Sequence, residues 1–131
     1  MTIPFWCVLA AVLLPYVWFA YAAPLRLKQF GKDFDPHAPR AQDPELKGLA
    51  SRAQGAHVNA LEALAYFVPA VLVAHLAHAD AEWSGRLAIA FVVLRVVHGF
   101  AYIGDKPPVR TASFAFGYLC CLGLFVLAAR A

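Results

Sequence analysis

Four long apolar runs, separated by shorter polar stretches, organise this chain: Ile3–Ala23, Ala60–Ala79, Leu87–Gly104 and Thr111–Ala129. Each run is continuous and shows no strict alternation, so each predicts a helix. A bilayer core takes about 20 apolar residues per helix. Only helices or closed barrels satisfy their backbone groups in lipid. The pattern therefore predicts four membrane spans, over about 3–23, 49–79, 85–104 and 109–129. The second helix is expected to start ahead of its apolar run. There Asp43-Pro44-Glu45 offers an N-cap, a proline at the first helical position and an acid in the first turn, for a helix from about Pro44 to His78. Pro69 is expected to kink it.

The polar stretch 24–48 carries Pro24, Pro36, Pro39 and Pro44 with Gly31 and Gly48, and predicts a structured loop. The other connections, Asp80–Ser84 and Asp105–Pro108, are short. Short connections make neighbouring helices antiparallel. The expected fold class is all-α, a single-domain integral membrane four-helix bundle with up-down topology over residues 1–131. Tyr21-Ala22-Ala23 has the small residues of a signal-peptide cleavage site. Met1–Trp6 has no Lys or Arg, however, and the run is long for a signal peptide, so a retained helix is expected.

Composition agrees with a membrane protein. Hydrophobic residues make up 62% and charged residues 15%, against roughly 45–50% and 25% in soluble domains. A soluble chain of this size has too much surface to cover with so few charges. Disorder, a coiled coil and an ordinary cytosolic enzyme are excluded. Cys7, Cys120 and Cys121 all lie in apolar runs and read as packing residues. The net charge of +3 is mild, and no nucleic-acid partner is expected. The distribution says more. Arg26, Lys28, Lys32, Arg40, Lys47 and Arg52 fall in or beside the first connection, and Lys106 and Arg110 in the third. The second carries Asp80 and Glu82 with Arg86. The excess of Lys and Arg places the first and third connections in the cytoplasm and both termini on the opposite side. Trp6, Trp18 and Trp83 are expected at the interfaces as anchors.

Ionisable residues inside membrane helices are rare and costly, and here they gather on two helices. At 100° per residue, Arg52, Asn59, Glu62 and Tyr66 fall within a sector of about 80° on span two. Arg95, His98 and Tyr102 fall within about 60° on span three. Arg110 and Thr111 open span four at the same end. Two readings of this cluster stand. In one, the residues pair among themselves and Glu62 neutralises Arg95. In the other, three arginines against one glutamate make a site for a small anionic or zwitterionic ligand, since Arg binds carboxylates bidentately. His75 and His78 lie at the far end of span two and read as interfacial, with no Cys or carboxylate nearby to complete a metal set. No metal site is expected.

The stretch Arg52-Ala-Gln-Gly-Ala-His57-Val-Asn59-Ala-Leu-Glu62 resembles the signature of the MAPEG family, the membrane-associated proteins in eicosanoid and glutathione metabolism. Arg95-Val-Val-His98-Gly-Phe-Ala-Tyr102 resembles the third helix of its prostaglandin E synthase branch, and Pro108-Val-Arg110-Thr111 that branch's Pro-x-Arg-Ser. Arg26-Leu-Lys28 resembles a basic cluster after the first helix. The resemblance covers essentially the whole chain. It implies a homotrimer with glutathione bound between subunits near the cytosolic face. Arg26, Asn59, Glu62, His98, Tyr102, Arg110 and Thr111 would then line the glutathione site, while Arg52, His57 and Arg95 occupy motif positions with a binding or a structural role. Arg110 would favour the thiolate by its charge and Thr111 by its hydroxyl. The implied function is a transferase or peroxidase that directs glutathione at lipophilic electrophiles arriving from the membrane lipid. Gly55 and Val58 depart from the family, standing where some members carry basic residues. The alternatives are a non-catalytic member that binds a small anion or a partner through the same pocket, and a small proton-coupled transporter using Glu62.

Overall fold

The computed structural model describes residues 1–131 and contains four long helices and no strand. These are α1 (Ile3–Phe30), α2 (Gly48–Leu76), α3 (Ala81–Ile103) and α4 (Pro107–Arg130). All four are long and apolar enough to cross a membrane. The bundle runs up and down. α2 and α3 form its centre, and α1 and α4 each pack against both.

Small side chains make this packing possible. The buried face of α2 is a stripe of alanines (Ala50, Ala53, Ala56, Ala60, Ala63, Ala70 and Ala74) interrupted by Phe67 and Val71. Without bulk on that face, neighbouring helices approach closely, which is how helices associate in lipid. Phe67 stacks on Phe91 of α3, with ring centroids 3.8 Å apart and planes at 10°. Both rings are fully buried, and Cys121 and Leu124 of α4 complete the layer. Large apolar side chains such as Leu13, Tyr16, Val17, Val93, Phe100 and Phe116 point outward instead. Phe114, Tyr118 and Phe125 do the same. Such a surface suits hydrocarbon and not water.

The helix ends differ from the sequence expectations in instructive ways. α1 does not stop at Ala23. It continues through Pro24 to Phe30 and ends at Gly31, whose φ of 55° only glycine adopts readily. The additional turns are held from the loop. Arg26 pairs with Asp43 and donates to the Pro39 carbonyl at 2.9 Å. Gln29 donates to the Glu45 carbonyl and accepts from the Lys47 amide, both at 3.0 Å. The connection is therefore 31–47, not 24–48.

The expected start of α2 at Pro44 is also corrected. Pro39–Glu45 forms a separate 3-10 segment, Leu46 and Lys47 are extended, and α2 begins at Gly48. Asp43 is not an N-cap, because its carboxylate is engaged by Arg26 and by Gln54 Nε2 at 3.2 Å. At the other end α2 finishes at Leu76 rather than at residue 79, and His78 turns the chain with φ 56°. α3 then starts at Ala81, earlier than the expected residue 85, because the Asp80 carboxylate caps the Trp83 amide at 2.8 Å. Pro107 and Pro108 lie in the first turn of α4, where a missing N–H costs nothing.

Trp18 is the clearest relocation. It is not an interfacial anchor but is 5% exposed, packed on Ala56 and Ala60. A Cβ added at Gly99 would lie 2.2 Å from its indole. Because α1 runs on to Phe30, Trp18 sits mid-helix and not at an interface. Trp6 and Trp83 do lie exposed near helix starts.

Candidate functional site

The polar cluster forms at the end of the bundle where α3 finishes and α2 and α4 begin. On α3, the spacing i, i+3, i+7 puts Arg95, His98 and Tyr102 on one face. Arg95 and His98 are each only 3% exposed. The Arg95 guanidinium donates through Nη2 to both the side-chain Oδ1 and the backbone carbonyl of Asn59, the latter at 3.2 Å. Its Nε and Nη1 are buried without a partner.

His98 binds the start of α4. Its Nδ1 lies 3.0 Å from the Arg110 carbonyl. A carbonyl only accepts, so Nδ1 carries the hydrogen. Nε2 is then left buried and unpartnered. Ser113 donates to the same carbonyl at 3.0 Å and touches Nδ1 at 3.5 Å. The Arg110 guanidinium stands 4.7 Å over the Tyr102 ring, a cation–π arrangement. Tyr102 in turn meets His98 edge-on at 5.8 Å.

Tyr102 also explains Gly55. A Cβ at that position would come within 2.6–2.8 Å of the Tyr102 ring and hydroxyl. The ring occupies the space that a larger residue at position 55 would fill. Arg52, one turn earlier on α2, donates from Nε to the Ile103 carbonyl at 3.0 Å, tying the start of α2 to the last turn of α3.

Contacts across three helices thus join Asn59 to Arg95, His98 and Tyr102 to Arg110, and Arg52 to the last turn of α3. Other sequence candidates stand apart. Glu62 is exposed on the outer face of α2, where Asn59 Nδ2 donates to it at 3.3 Å. It does not pair with Arg95, so internal neutralisation of that arginine is not found. Thr111 is likewise exposed. His57 turns toward α1, its Nδ1 2.8 Å from the Pro15 carbonyl and its ring against Phe19. Arg26 is committed to Asp43 and Pro39 in the connection. Tyr66, grouped by angle with Asn59 and Glu62, packs on Phe91 and Tyr118 instead.

Ser113 was not anticipated. Its signal is positional: three residues beyond Arg110, it lies on the same helical face. The arrangement gathers three cationic side chains, Arg52, Arg95 and Arg110, towards one end of the bundle. The two ion pairs in the protein are Arg26–Asp43 and Arg86–Glu82. Arg52, Arg95 and Arg110 therefore have no carboxylate partner.

The model of the MAPEG family matches residues 3–130. A search of curated proteins finds no match.

Proposed function

The chain belongs to the MAPEG family, and on that premise we propose that it activates the glutathione thiol for attack on lipophilic electrophiles. Membership is consistent with a glutathione-related transferase or a related activity. One observation carries the narrower reading. Three arginines gather towards one end of a membrane bundle, and none of them forms an ion pair with a carboxylate. An anionic ligand supplies the missing charge, and glutathione carries two carboxylates and an ionisable thiol.

The residues fit that substrate. Arg95 and His98 present buried nitrogen atoms without partners. Arg52 and Arg110 are half-buried and positively charged. Asn59 and Glu62 supply acceptors for the ammonium and amide groups. In this proposal Arg110 favours the thiolate, because a neighbouring cation stabilises the charged form. Its stack on Tyr102 fixes the guanidinium, and the hydrogen bonds from His98 and Ser113 to its carbonyl fix its backbone. The thiol proton leaves to solvent at the membrane surface as the thiolate forms. Its sulfur then bonds to the electrophilic carbon while the bond from that carbon to its leaving group, or one bond of a strained ring or activated double bond, breaks. The electron pair so displaced takes a proton from solvent. Thr111 adds a hydroxyl donor to the sulfur from the exposed side.

The exposed position of Glu62 supports assembly into the trimer expected for this family. A carboxylate facing hydrocarbon costs roughly 2.5–3.5 kcal/mol at mid-helix. A second copy that covers α2 removes this cost and completes the site. With the basic connections in the cytoplasm, the site opens to the cytosolic pool of glutathione.

The test is a titration of detergent-purified protein with glutathione, read as the ultraviolet thiolate difference signal. A saturable signal that disappears in Arg110→Ala is expected. Binding without thiolate would leave a non-catalytic binder, and no binding at millimolar glutathione would overturn the proposal.

A further inference from the structure

The opposite end of the bundle holds a cavity of about 390 Å³. That volume lies in the range of small-molecule sites, roughly 300–1,000 Å³. α1 and α3 begin around it and α2 ends there. Its lining divides by chemistry. Val71 and Leu124 supply a buried apolar part, whereas Thr2, His75, His78 and Ser84 supply polar groups.

Ser84 is the informative member. It is 6% exposed, and its Oγ has no hydrogen-bond partner. A helical serine often returns its hydroxyl to the carbonyl four residues back. Here the Asp80 carbonyl takes only the Ser84 amide, at 3.0 Å. A buried hydroxyl left unpaired is costly, and this one lines a cavity. His78 is held there by a left-handed backbone, φ 56°, which non-glycine residues adopt rarely. His75 is fixed edge-on against Phe5, with centroids 4.8 Å apart. The nearby charges are committed elsewhere, Asp80 to the Trp83 amide and Arg86 to Glu82 and the Trp83 ring.

We propose that this cavity binds the carboxylate end of a monoacyl amphiphile, a free fatty acid drawn from the membrane. The carboxylate accepts hydrogen bonds from Ser84 and from the imidazoles of His75 and His78. The adjoining acyl carbons lie against Val71 and Leu124. No Lys or Arg lines the cavity, which argues against a phosphate dianion, a group that recruits those residues. The site is independent of the glutathione reading and lies at the other end of the helices.

Photoactivatable palmitic acid carrying a diazirine tests this in nanodiscs, with crosslinked peptides mapped by mass spectrometry. With the diazirine on the acyl carbons next to the carboxylate, crosslinks are expected in the last turns of α2 and at the cavity-lining part of α4 around Leu124. Excess oleate competes and methyl oleate does not. Ser84→Ala is expected to lower labelling about tenfold, as for one hydrogen bond to a charged group. Ala74→Leu fills the cavity without touching a polar donor and is expected to lower it equally, so the test survives if one variant misfolds. Crosslinks spread over the outward faces of α1 and α4 would overturn the proposal. So would equal competition by methyl oleate, stronger competition by lysophosphatidic acid, or unchanged labelling in folded variants.

Discussion

Arg95 shows how a charge is tolerated inside this bundle. Its partner is a neutral amide and a carbonyl, both from Asn59, and not a carboxylate. Removing the Asn59 side chain leaves a buried guanidinium with one partner fewer, at a cost of roughly 1–3 kcal/mol. Replacing Arg95 by Met removes the buried charge together with its two unpartnered nitrogen atoms, and with them their desolvation cost. Asn59→Ala is therefore expected to lower the thermal unfolding midpoint in detergent more than Arg95→Met does. The opposite order would mean that the arginine itself holds the bundle together. Gly55 yields a second expectation at this scale. A methyl group there meets the Tyr102 ring at 2.6 Å, so Gly55→Ala pushes the ring away from Arg110. Glutathione-dependent thiolate formation should fall with it, while the unfolding midpoint moves little because the ring's outer end can rotate aside. The two polar stripes were legible from angular spacing. The absence of an Arg95–Glu62 pair was not, because a 100° periodicity gives the helical sector and says nothing of which neighbour fills it.

The helices read well in their middles and poorly at their ends. Apolar runs mark where lipid contact begins and stops, but a helix continues as long as its backbone groups have partners. α1 outruns its apolar segment because Arg26 and Gln29 are tied to the connection. α2 starts late because Asp43 is drawn to Arg26 and is not free to cap. Asp43→Ala should consequently loosen the 3-10 segment and the last turn of α1, seen as faster amide hydrogen exchange over 26–30 and 39–45. The tightest approach between α1 and α3 is Trp18 over Gly99. Gly99→Ala overpacks that contact, at a cost of about 1–3 kcal/mol. Trp18→Leu in the same chain should recover most of the loss. Failure of that rescue would show that Gly99 serves another contact.

As a whole molecule, the protein turns most of its large apolar side chains outward and the alanine stripe of α2 inward, around a small core of Phe67, Phe91 and Leu124. Hydrocarbon accepts the outer surface, and close packing holds the inside. Glu62 is the exception on the outer surface, and it belongs to the question of assembly. Native mass spectrometry from lipid nanodiscs is expected to show trimers. A strictly monomeric protein that still forms the glutathione thiolate would remove the neighbouring copy from the site.

The sequence by itself determined the class of the protein, four membrane helices with antiparallel neighbours, because apolar run length against bilayer thickness leaves few alternatives. It also determined the polar end, since arginines within membrane spans must cluster or reach water. The tertiary structure alone decided that Trp18 is core and not anchor, that His57 ties α2 to α1, and that Ser113 joins His98 at the Arg110 carbonyl. It also decided that Ser84 lines a cavity. These facts depend on which residues from distant positions meet across helix interfaces. One-dimensional periodicity fixes a face of each helix but leaves its rotation and depth against its neighbours open, and those are set by packing.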